Sequence, residues 1–350
     1  MFHRVALLAA VSSLLAAVEF RIGCYDGYAP KDVTEPFVKL VKERLGKDIT
    51  CVQVTMTDNA TIYDALRGKK VDVVSPTNNG IKAERFKLIQ SGFLSPVDVQ
   101  ALSHWKELVP AIAASDHISD GGKAYGVPLN YAPYGLAYNT AKLPAAPTTW
   151  KALVQAKGGF AVSNDWEVCV MAVAGLIAGL PKEDIFTFEK LNTPAVKAVA
   201  RQMASTTHRW TGVDDVATLK GQEVATSWGF AFADLAKAGE TWAMAEPVEG
   251  SPWYLDSFAV AAAASPEVRD VALLWLDHVI SPEIQAIYVR TLGVKSVTLG
   301  AKALLTPEEA RGASLDDPTF FSTKVALLKP LSIRDENGVK RLWDEAKAGK

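Results

Sequence analysis

The sequence predicts an α/β fold built on a parallel sheet, because strand-like and helix-like segments alternate from residue 19 onward. Short apolar runs at residues 19–24, 49–56 and 71–74 have the length and composition of strands. Apolar residues at helical spacing predict helices over residues 37–45 and 60–67. Strand, helix, strand, helix, strand is the order that forms a parallel sheet, whose carboxyl edge is where ligands bind.

A second set of alternating segments predicts a second α/β unit that begins near residue 125. Strand-like runs occupy residues 125–131, 134–139, 160–162 and 223–227. The last third of the chain is predicted to be helical, because three helix starts place a hydroxyl residue before a proline and a glutamate. The hydroxyl residues expected to cap these helices are Ser265, Ser281 and Thr306.

The composition indicates a globular protein and argues against a nucleic-acid partner. A chain of 350 residues has room for about two domains. Lys and Arg together number 37 and Asp and Glu 39, which gives a net charge of -2. A nucleic-acid-binding protein needs a basic excess to neutralise phosphates, and this chain lacks one.

The amino terminus has the pattern of a secretory signal peptide, predicted over residues 1–18. A weakly basic start precedes residues 5–18, which carry no charge and are too few to span a bilayer comfortably. We therefore expect an exported, soluble mature protein. The alternative interpretation of this segment is a buried amino-terminal helix.

Motifs for metal, nucleotide or nucleophilic chemistry are absent from the sequence, so neither a cofactor nor a metal site is predicted. The five histidines have no ligand spacing, and no lipase-type, Walker or dinucleotide motif occurs. The three cysteines are Cys24, Cys51 and Cys169. Parallel strands would place the first two at opposite ends, so we expect three free thiols.

Aromatic residues stand beside carboxylates where several predicted strands end. These clusters contain Tyr25, Asp26 and Tyr28; Asn164, Asp165 and Glu167; Trp228; and Trp253, Tyr254 and Asp256. Aromatic faces attract cations, and carboxylates form charge-assisted hydrogen bonds with ammonium groups. The clusters are consistent with a site for a small organic cation. The alternative is that these aromatic residues belong to the core or to its rim.

Two pairs of segments resemble the crossing strands of the periplasmic spermidine/putrescine-binding proteins of ABC importers. The first pair is residues 123–128 and 134–139, and the second is residues 246–250 and 253–260. This resemblance implies the two-lobed, type II periplasmic-binding-protein fold, with lobes joined by crossing strands. It divides the mature chain into one lobe of residues 19–128 plus about 255–298 and another of about 132–252 plus about 302–350.

The resemblance also implies which residues contact the ligand. Relative to the family pattern, Tyr25 stands for a stacking Trp, Asp26 for a hydroxyl residue, Asn79 for an aromatic residue and Asn164 for an Asp. One carboxylate is thereby lost and another gained at a different place. The implied ligand-binding residues are Tyr25, Asp26, Tyr28, Thr77, Asn79, Asn164, Glu167, Trp228, Tyr254 and Asp256.

The function implied by the resemblance is that of a non-enzymatic periplasmic receptor. Such a receptor captures a polyamine such as putrescine or spermidine by lobe closure and delivers it, as a monomer, to an inner-membrane ABC permease. The departures leave another small amine, a zwitterion or a quaternary ammonium compound as alternative ligands. A sensor or scaffold subunit without a transport role is a second alternative.

Overall fold

The computed structural model describes residues 17–164, 166–206, 208–210 and 214–349, without the side chain of Trp210. The signal peptide expected over residues 1–18 therefore lies almost entirely outside the described residues, as does Asp165. The described chain is a mixed α/β protein with two principal sheets.

The larger sheet contains seven strands, in the order β13-β6-β12-β3-β1-β2, with β14 added beside β12. Its strands β1, β2 and β3 are parallel, as the sequence predicts, while β12 runs antiparallel to both β3 and β6. The strands are β1 (Val18–Cys24), β2 (Ile49–Thr55), β3 (Val73–Val74), β6 (Gly126–Pro133), β12 (Pro252–Val260), β13 (Lys295–Ser296) and β14 (Ala326–Leu327).

The second sheet contains five strands, in the order β11-β7-β10-β8-β9. Its strands β8 and β10 are parallel, and β7 runs antiparallel to β10 and β11. The strands are β7 (Gly135–Asn139), β8 (Phe160–Ser163), β9 (Arg209–Trp210), β10 (Val224–Ser227) and β11 (Trp242–Met244). A small hairpin consists of β4 (Ser119–Asp120) and β5 (Lys123–Ala124).

The chain crosses between the two sheets at the segments that the resemblance singled out. It leaves the larger sheet at the end of β6, enters the second sheet at β7, and returns from β11 to β12. The adjoining strands β6 and β12 pair from Gly126 with Ala259 to Pro133 with Trp253. The residue bounds of the two lobes remain a prediction.

Fifteen α-helices are present in the described part of the chain, and they surround the two sheets. They are α1 (Lys31–Leu45), α2 (Asn59–Arg67), α3 (Asn78–Ile81), α4 (Pro110–Ala113), α5 (Lys151–Gln155), α6 (Glu167–Ile177), α7 (Phe188–Leu191), α8 (Pro194–Ala204), α9 (Val216–Leu219), α10 (Phe232–Lys237), α11 (Pro266–Val279), α12 (Pro282–Leu292), α13 (Pro307–Gly312), α14 (Phe320–Lys324) and α15 (Ile333–Lys347).

The three proline-containing helix starts of the last third are confirmed, but their capping is not uniform. Thr306 accepts a hydrogen bond from the Glu309 amide and forms a full capping box. Ser265 and Ser281 occupy the N-cap positions of α11 and α12 without a capping side-chain bond. The expectation of capping hydroxyls is therefore wrong for these two serines; that of Ser281 donates instead to the His278 carbonyl.

The register of β1 and β2 explains why Cys24 and Cys51 do not form a disulfide bond. Cys51 lies opposite Phe20 in the β1–β2 pair, and Cys24 lies opposite Thr55, so the two thiols are several residues apart along parallel strands. Cys24, Cys51 and Cys169 are all free, as expected.

No helix within the described residues is long and apolar enough to cross a membrane.

Candidate functional site

The candidate site lies where the carboxyl ends of parallel strands from both sheets meet loops. Tyr25 follows the last residue of β1, and Thr77 follows β3 by three residues. In the second sheet, Asn164 directly follows β8 and Trp228 directly follows β10. Parallel strands deliver the residues after them to one edge, which is where open α/β sheets bind ligands.

Asp256, on the crossing strand β12, is the buried carboxylate at the centre of this region. The residue is 3% exposed, and its Oδ2 accepts a 2.5 Å hydrogen bond from the Tyr28 hydroxyl. Its other oxygen, Oδ1, is buried without a hydrogen-bond partner. Burial raises the pKa of Asp256 to about 6, opposed by the Tyr28 and Thr77 side chains. A cation placed against Oδ1 would supply the missing partner.

Tyrosines from the first loop form one wall of the space beside Asp256. The rings of Tyr25 and Tyr28 meet edge to face with their centroids 6.0 Å apart. The Tyr25 hydroxyl lies 3.3 Å from Thr77 Oγ1, and Thr77 bridges the backbone of Asp256. Asn130 Oδ1 lies 3.3 Å from the Tyr28 hydroxyl. The first loop and the crossing strands are thus joined by their polar groups.

A second group of aromatic residues, centred on Trp228, links the second sheet to the region around Asp256. Trp228 packs against Tyr254 with ring centroids 5.6 Å apart and against Tyr134 at 5.0 Å. Trp228 Nε1 and the Tyr254 hydroxyl are both buried without a hydrogen-bond partner. Tyr254 also lies close enough to Asp256 that this carboxylate helps burial to raise the pKa of the phenol. Trp228 is therefore linked to Asp256 through Tyr254, by a ring contact on one side and an electrostatic interaction on the other.

Four of the sequence-predicted residues are not joined to this group by the observed hydrogen bonds or ring contacts. Asp26 is exposed, and its Oδ1 accepts from the Gly27 amide. Asn79 is half-buried, and its Oδ1 has no partner. Asn164 accepts from the indole of Trp343 on α15 at 2.9 Å, and Glu167 lies 3.7 Å from the ammonium group of Lys340. Their role in ligand binding remains a prediction.

Sequence reasoning missed three buried residues that build the site. Asn130 is fully buried next to the Tyr28 hydroxyl, and the Tyr134 hydroxyl donates to the Ser163 carbonyl at 2.6 Å. Asp214 is 3% exposed and holds the Trp228 loop. An asparagine inside the apolar run of β6 was a signal for the first. The spacing of Asp214 from Trp228 gave no signal, because only folding brings them together.

A cavity of about 630 Å³ adjoins the aromatic group. Trp228 lines it, together with the end of β6, the segment before β12, the end of α12 and α14. The cavity thus lies between elements of both sheets. Among the described residues, no three His, Cys, Asp or Glu side chains are grouped so that they could hold a metal ion.

A family model described as bacterial extracellular solute-binding protein matches residues 38–317. The chain belongs to this family. The match spans most of the chain, including the second sheet and the crossing strands β6 and β12, but not β1 or β14 of the larger sheet.

Relatives and solved structures agree with this solute-binding protein family. The spermidine/putrescine-binding periplasmic protein of Salmonella typhimurium is 23% identical over 300 residues, which are 82% of this chain and 80% of the relative. The substrate-binding protein PotD of a Streptococcus pneumoniae spermidine/putrescine ABC transporter, in complex with calcium and HEPES, has TM-score 0.76 and 15% identity, covering 95% of this chain and 99% of PotD. The PBP MotA from A. tumefaciens B6, in complex with glucopine, has TM-score 0.69 and 16% identity, covering 94% and 100%.

These likenesses confirm the type II periplasmic-binding-protein fold for this solute-binding protein. The fold expected from the crossing segments is therefore correct. At such low identity, the structural likeness carries no information about the ligand.

In this solute-binding protein, Asp214 organises the loop that carries Trp228. Its carboxylate accepts from the Ser227 hydroxyl at 2.8 Å, from the Trp228 amide at 3.1 Å and from the Ala231 amide at 3.3 Å. Burial raises the pKa of Asp214, and these three donors oppose the rise. The arrangement fixes the backbone at Trp228 and hence the position of the indole.

We expect Asp214→Ala to lower the free energy of unfolding by about 1–3 kcal/mol, because it leaves buried amides without an acceptor. Chemical denaturation followed by circular dichroism measures this change. Asp234→Ala is the control, since Asp234 is exposed and pairs with Lys237 on its own helix. Equal stability of the two variants would contradict the anchoring role of Asp214.

Proposed function

We propose that this solute-binding protein is a non-enzymatic periplasmic receptor that captures a small organic amine by lobe closure and delivers it, as a monomer, to an inner-membrane ABC permease. The observation that carries the proposal is Asp256, a buried carboxylate with one oxygen lacking a partner and the other bonded by Tyr28. Tyr254, in electrostatic range of Asp256, packs on the ring of Trp228. Desolvating an ammonium group is costly unless a charge partner and polarisable walls replace water.

Lobe closure is supported because the proposed ligand contacts come from both sheets. Tyr28 and Asp256 belong to the loop and crossing strand of the larger sheet, while Trp228 follows a strand of the second sheet. A ligand held by Asp256 and Trp228 together would favour the closed state, since closure is stabilised by contacts that only that state offers. The closed shape is then what a permease would recognise.

Putrescine and spermidine are the first ligands to consider. Curated relatives that are 23% and 24% identical are named spermidine/putrescine-binding periplasmic proteins. The ten residues predicted from the sequence are the proposed contacts, with Asp256 and Trp228 at their centre. Glu167 lies beside Lys340, and Asn164 replaces an acid of the family pattern. We therefore expect a second ammonium group to be bound more weakly than that pattern implies.

Thermal denaturation with added ligands tests the proposal. A compound that binds only the folded protein raises the melting temperature, by an amount that follows its concentration relative to Kd. We expect at least one compound among polyamines, monoamines, amino acids and betaines to do so, and calorimetry should then show one site. Trp228→Ala should weaken that binding. If no amine in the set changes the melting temperature, the proposal fails.

A further inference from the structure

Asp256, Asn130 and Tyr254 place three polar side chains on one face of the larger sheet. Asp256 pairs with Asn130 across the antiparallel strands β12 and β6, so their side chains stand next to each other. Tyr254 precedes Asp256 by two residues on β12, and residues two apart along a strand share a face. The Tyr28 hydroxyl lies 2.5 Å from Asp256 Oδ2 and 3.3 Å from Asn130 Oδ1, which shows that these two side chains meet.

Each of these three side chains has a buried polar atom without a hydrogen-bond partner in the described part of the chain. These atoms are Asp256 Oδ1, the Tyr254 hydroxyl and the end of the Asn130 amide that faces away from Tyr28. Asn130 is fully buried and Asp256 is 3% exposed. A buried polar atom costs free energy unless it is bonded, so three of them on neighbouring side chains indicate a place for a polar group of a ligand.

The single hydrogen of the Tyr28 hydroxyl determines which end of the Asn130 amide points away from it. Burial raises the pKa of Asp256 only to about 6, so at neutral pH this carboxylate is ionised and takes the Tyr28 hydrogen in the 2.5 Å bond. The Tyr28 oxygen can then only accept from Asn130, which requires the amide nitrogen to face it. The two ends of an amide have the same shape, so the hydrogen-bond network decides between them. The unpartnered Asn130 atom is therefore the amide oxygen, and all three unpartnered atoms can accept a hydrogen bond.

Neighbouring protein groups do not supply the donors or the positive charge that these acceptors lack. Ser296 flanks Asn130 on β13, but its hydroxyl lies 3.0 Å from both Gln285 Oε1 and the Thr298 carbonyl, to which its hydrogen is directed. Among the described residues, the side chains that oppose the effect of burial on the pKa of Asp256 are Tyr28 and Thr77, and both are neutral. The buried carboxylate thus has polar neighbours but no cation.

We propose that Asn130 is a specificity-determining residue, which forms with Asp256 and Tyr254 a three-acceptor site for a primary ammonium group and so selects primary amines over N-methylated and quaternary ones. The inference rests on the proposed function, because it takes Asp256 to be the residue that holds the amine. A primary ammonium group has three N–H donors, one for each acceptor, and its charge pairs with Asp256. A quaternary ammonium group has no N–H donor, so it would leave the three acceptors buried and unbonded.

A methylation series tests this specificity by calorimetry on the full chain at neutral pH. The ligands are butylamine, N-methylbutylamine, N,N-dimethylbutylamine and butyltrimethylammonium, which share one charge and one chain length but differ stepwise in the number of N–H donors. We expect butylamine to bind most tightly and the quaternary compound about a hundredfold or more weakly. Butyltrimethylammonium binding as tightly as butylamine would overturn the three-acceptor site and leave the amine receptor standing. If none of the four binds although another amine raises the melting temperature, the three-acceptor site is wrong; if no amine does so, the proposed function fails as well.

Asn130→Leu tests whether this residue makes the distinction. Leucine is close to asparagine in size but has no acceptor, so we expect the affinity for butylamine to fall about tenfold or more. Butyltrimethylammonium forms no hydrogen bond with Asn130, so its affinity should change little and the ratio of the two affinities should shrink. A merely structural effect would weaken both ligands alike. An unchanged ratio in Asn130→Leu would remove Asn130 from the site.

Two further variants complete the comparison. Asn139→Leu is the matched control, because Asn139 is also a buried strand asparagine, but its amide donates to Glu240 and its oxygen accepts from the Ala141 amide. It should leave the ratio of the two affinities as in the wild type. Asn130→Asp keeps an acceptor oxygen in the same place and should retain the preference for the primary amine, and loss of that preference would also contradict the proposed role of Asn130.

Discussion

Replacing Asp256 with alanine should weaken the binding of any amine ligand by about 2–5 kcal/mol, which is roughly 30-fold to several thousand-fold. Asp256 is 3% exposed, and one of its oxygens has no partner within the protein, so an ammonium group there would be paired away from water. Removing the carboxylate would leave the ammonium group desolvated and unpaired. Isothermal titration calorimetry with the ligand found by thermal screening measures this loss.

Two further variants separate charge from shape. Asp256→Asn keeps the size of the side chain and a hydrogen-bond acceptor but removes the charge, so it should lose most of the same affinity. Asp48→Asn is the matched control, because Asp48 is an exposed carboxylate outside the proposed contacts that pairs with Lys42 at 2.8 Å. Its effect should be small, since water screens an exposed pair. Wild-type affinity in Asp256→Asn would remove Asp256 from the binding site.

Amine affinity should depend steeply on pH near 6. Burial raises the pKa of Asp256 to about 6, so the carboxyl group of the unliganded protein is protonated at lower pH. An ammonium ligand requires the ionised form. Below that pKa, affinity should therefore fall by about tenfold for each pH unit, and above it affinity should level off. Calorimetry between pH 4 and 8 on wild type and Asp256→Asn isolates this contribution, which should be missing from the variant.

The unfolding free energy of the unliganded protein should instead receive a contribution from Asp256 that falls as pH rises, whereas amine affinity rises with pH. The folded-state pKa of Asp256 lies above the ordinary value of 3.8, so the group favours folding at low pH, and this contribution is lost as pH rises through about 6. The shift corresponds to about 3 kcal/mol between the two limits. The difference in unfolding free energy between wild type and Asp256→Asn should therefore vary with pH between 4 and 6. A constant difference would mean that Asp256 titrates normally.

The sequence was sufficient for the elements whose signals are local. The apolar runs of β1, β2 and β3, and the glycine at residue 46 that ends α1 with a φ of 66°, are set by neighbours along the chain. The helix starts at Ser281 and Thr306 were equally visible, yet only Thr306 forms its capping bond. A cap requires side-chain geometry as well as residue type, and spacing does not determine that geometry.

The candidate site was predicted in part, for reasons that differ from residue to residue. Tyr28, Tyr254 and Asp256 were found because aromatic and acidic residues at strand ends are conspicuous in a sequence. Glu167 has the same conspicuous pattern, but α15 places Lys340 beside it. That ion pair joins residues 173 positions apart, so the sequence around Glu167 could not have indicated it.

By itself, the sequence determined the alternation of strands and helices, the crossing segments and the residue types available for holding a cation. Only the tertiary structure decided which carboxylate is buried without a full set of partners and which basic residues gather around Trp228. The physical reason is that burial and charge pairing depend on distances between segments far apart in the chain. Lys182, Lys295 and Lys324 line a single cavity because folding brings three such segments together.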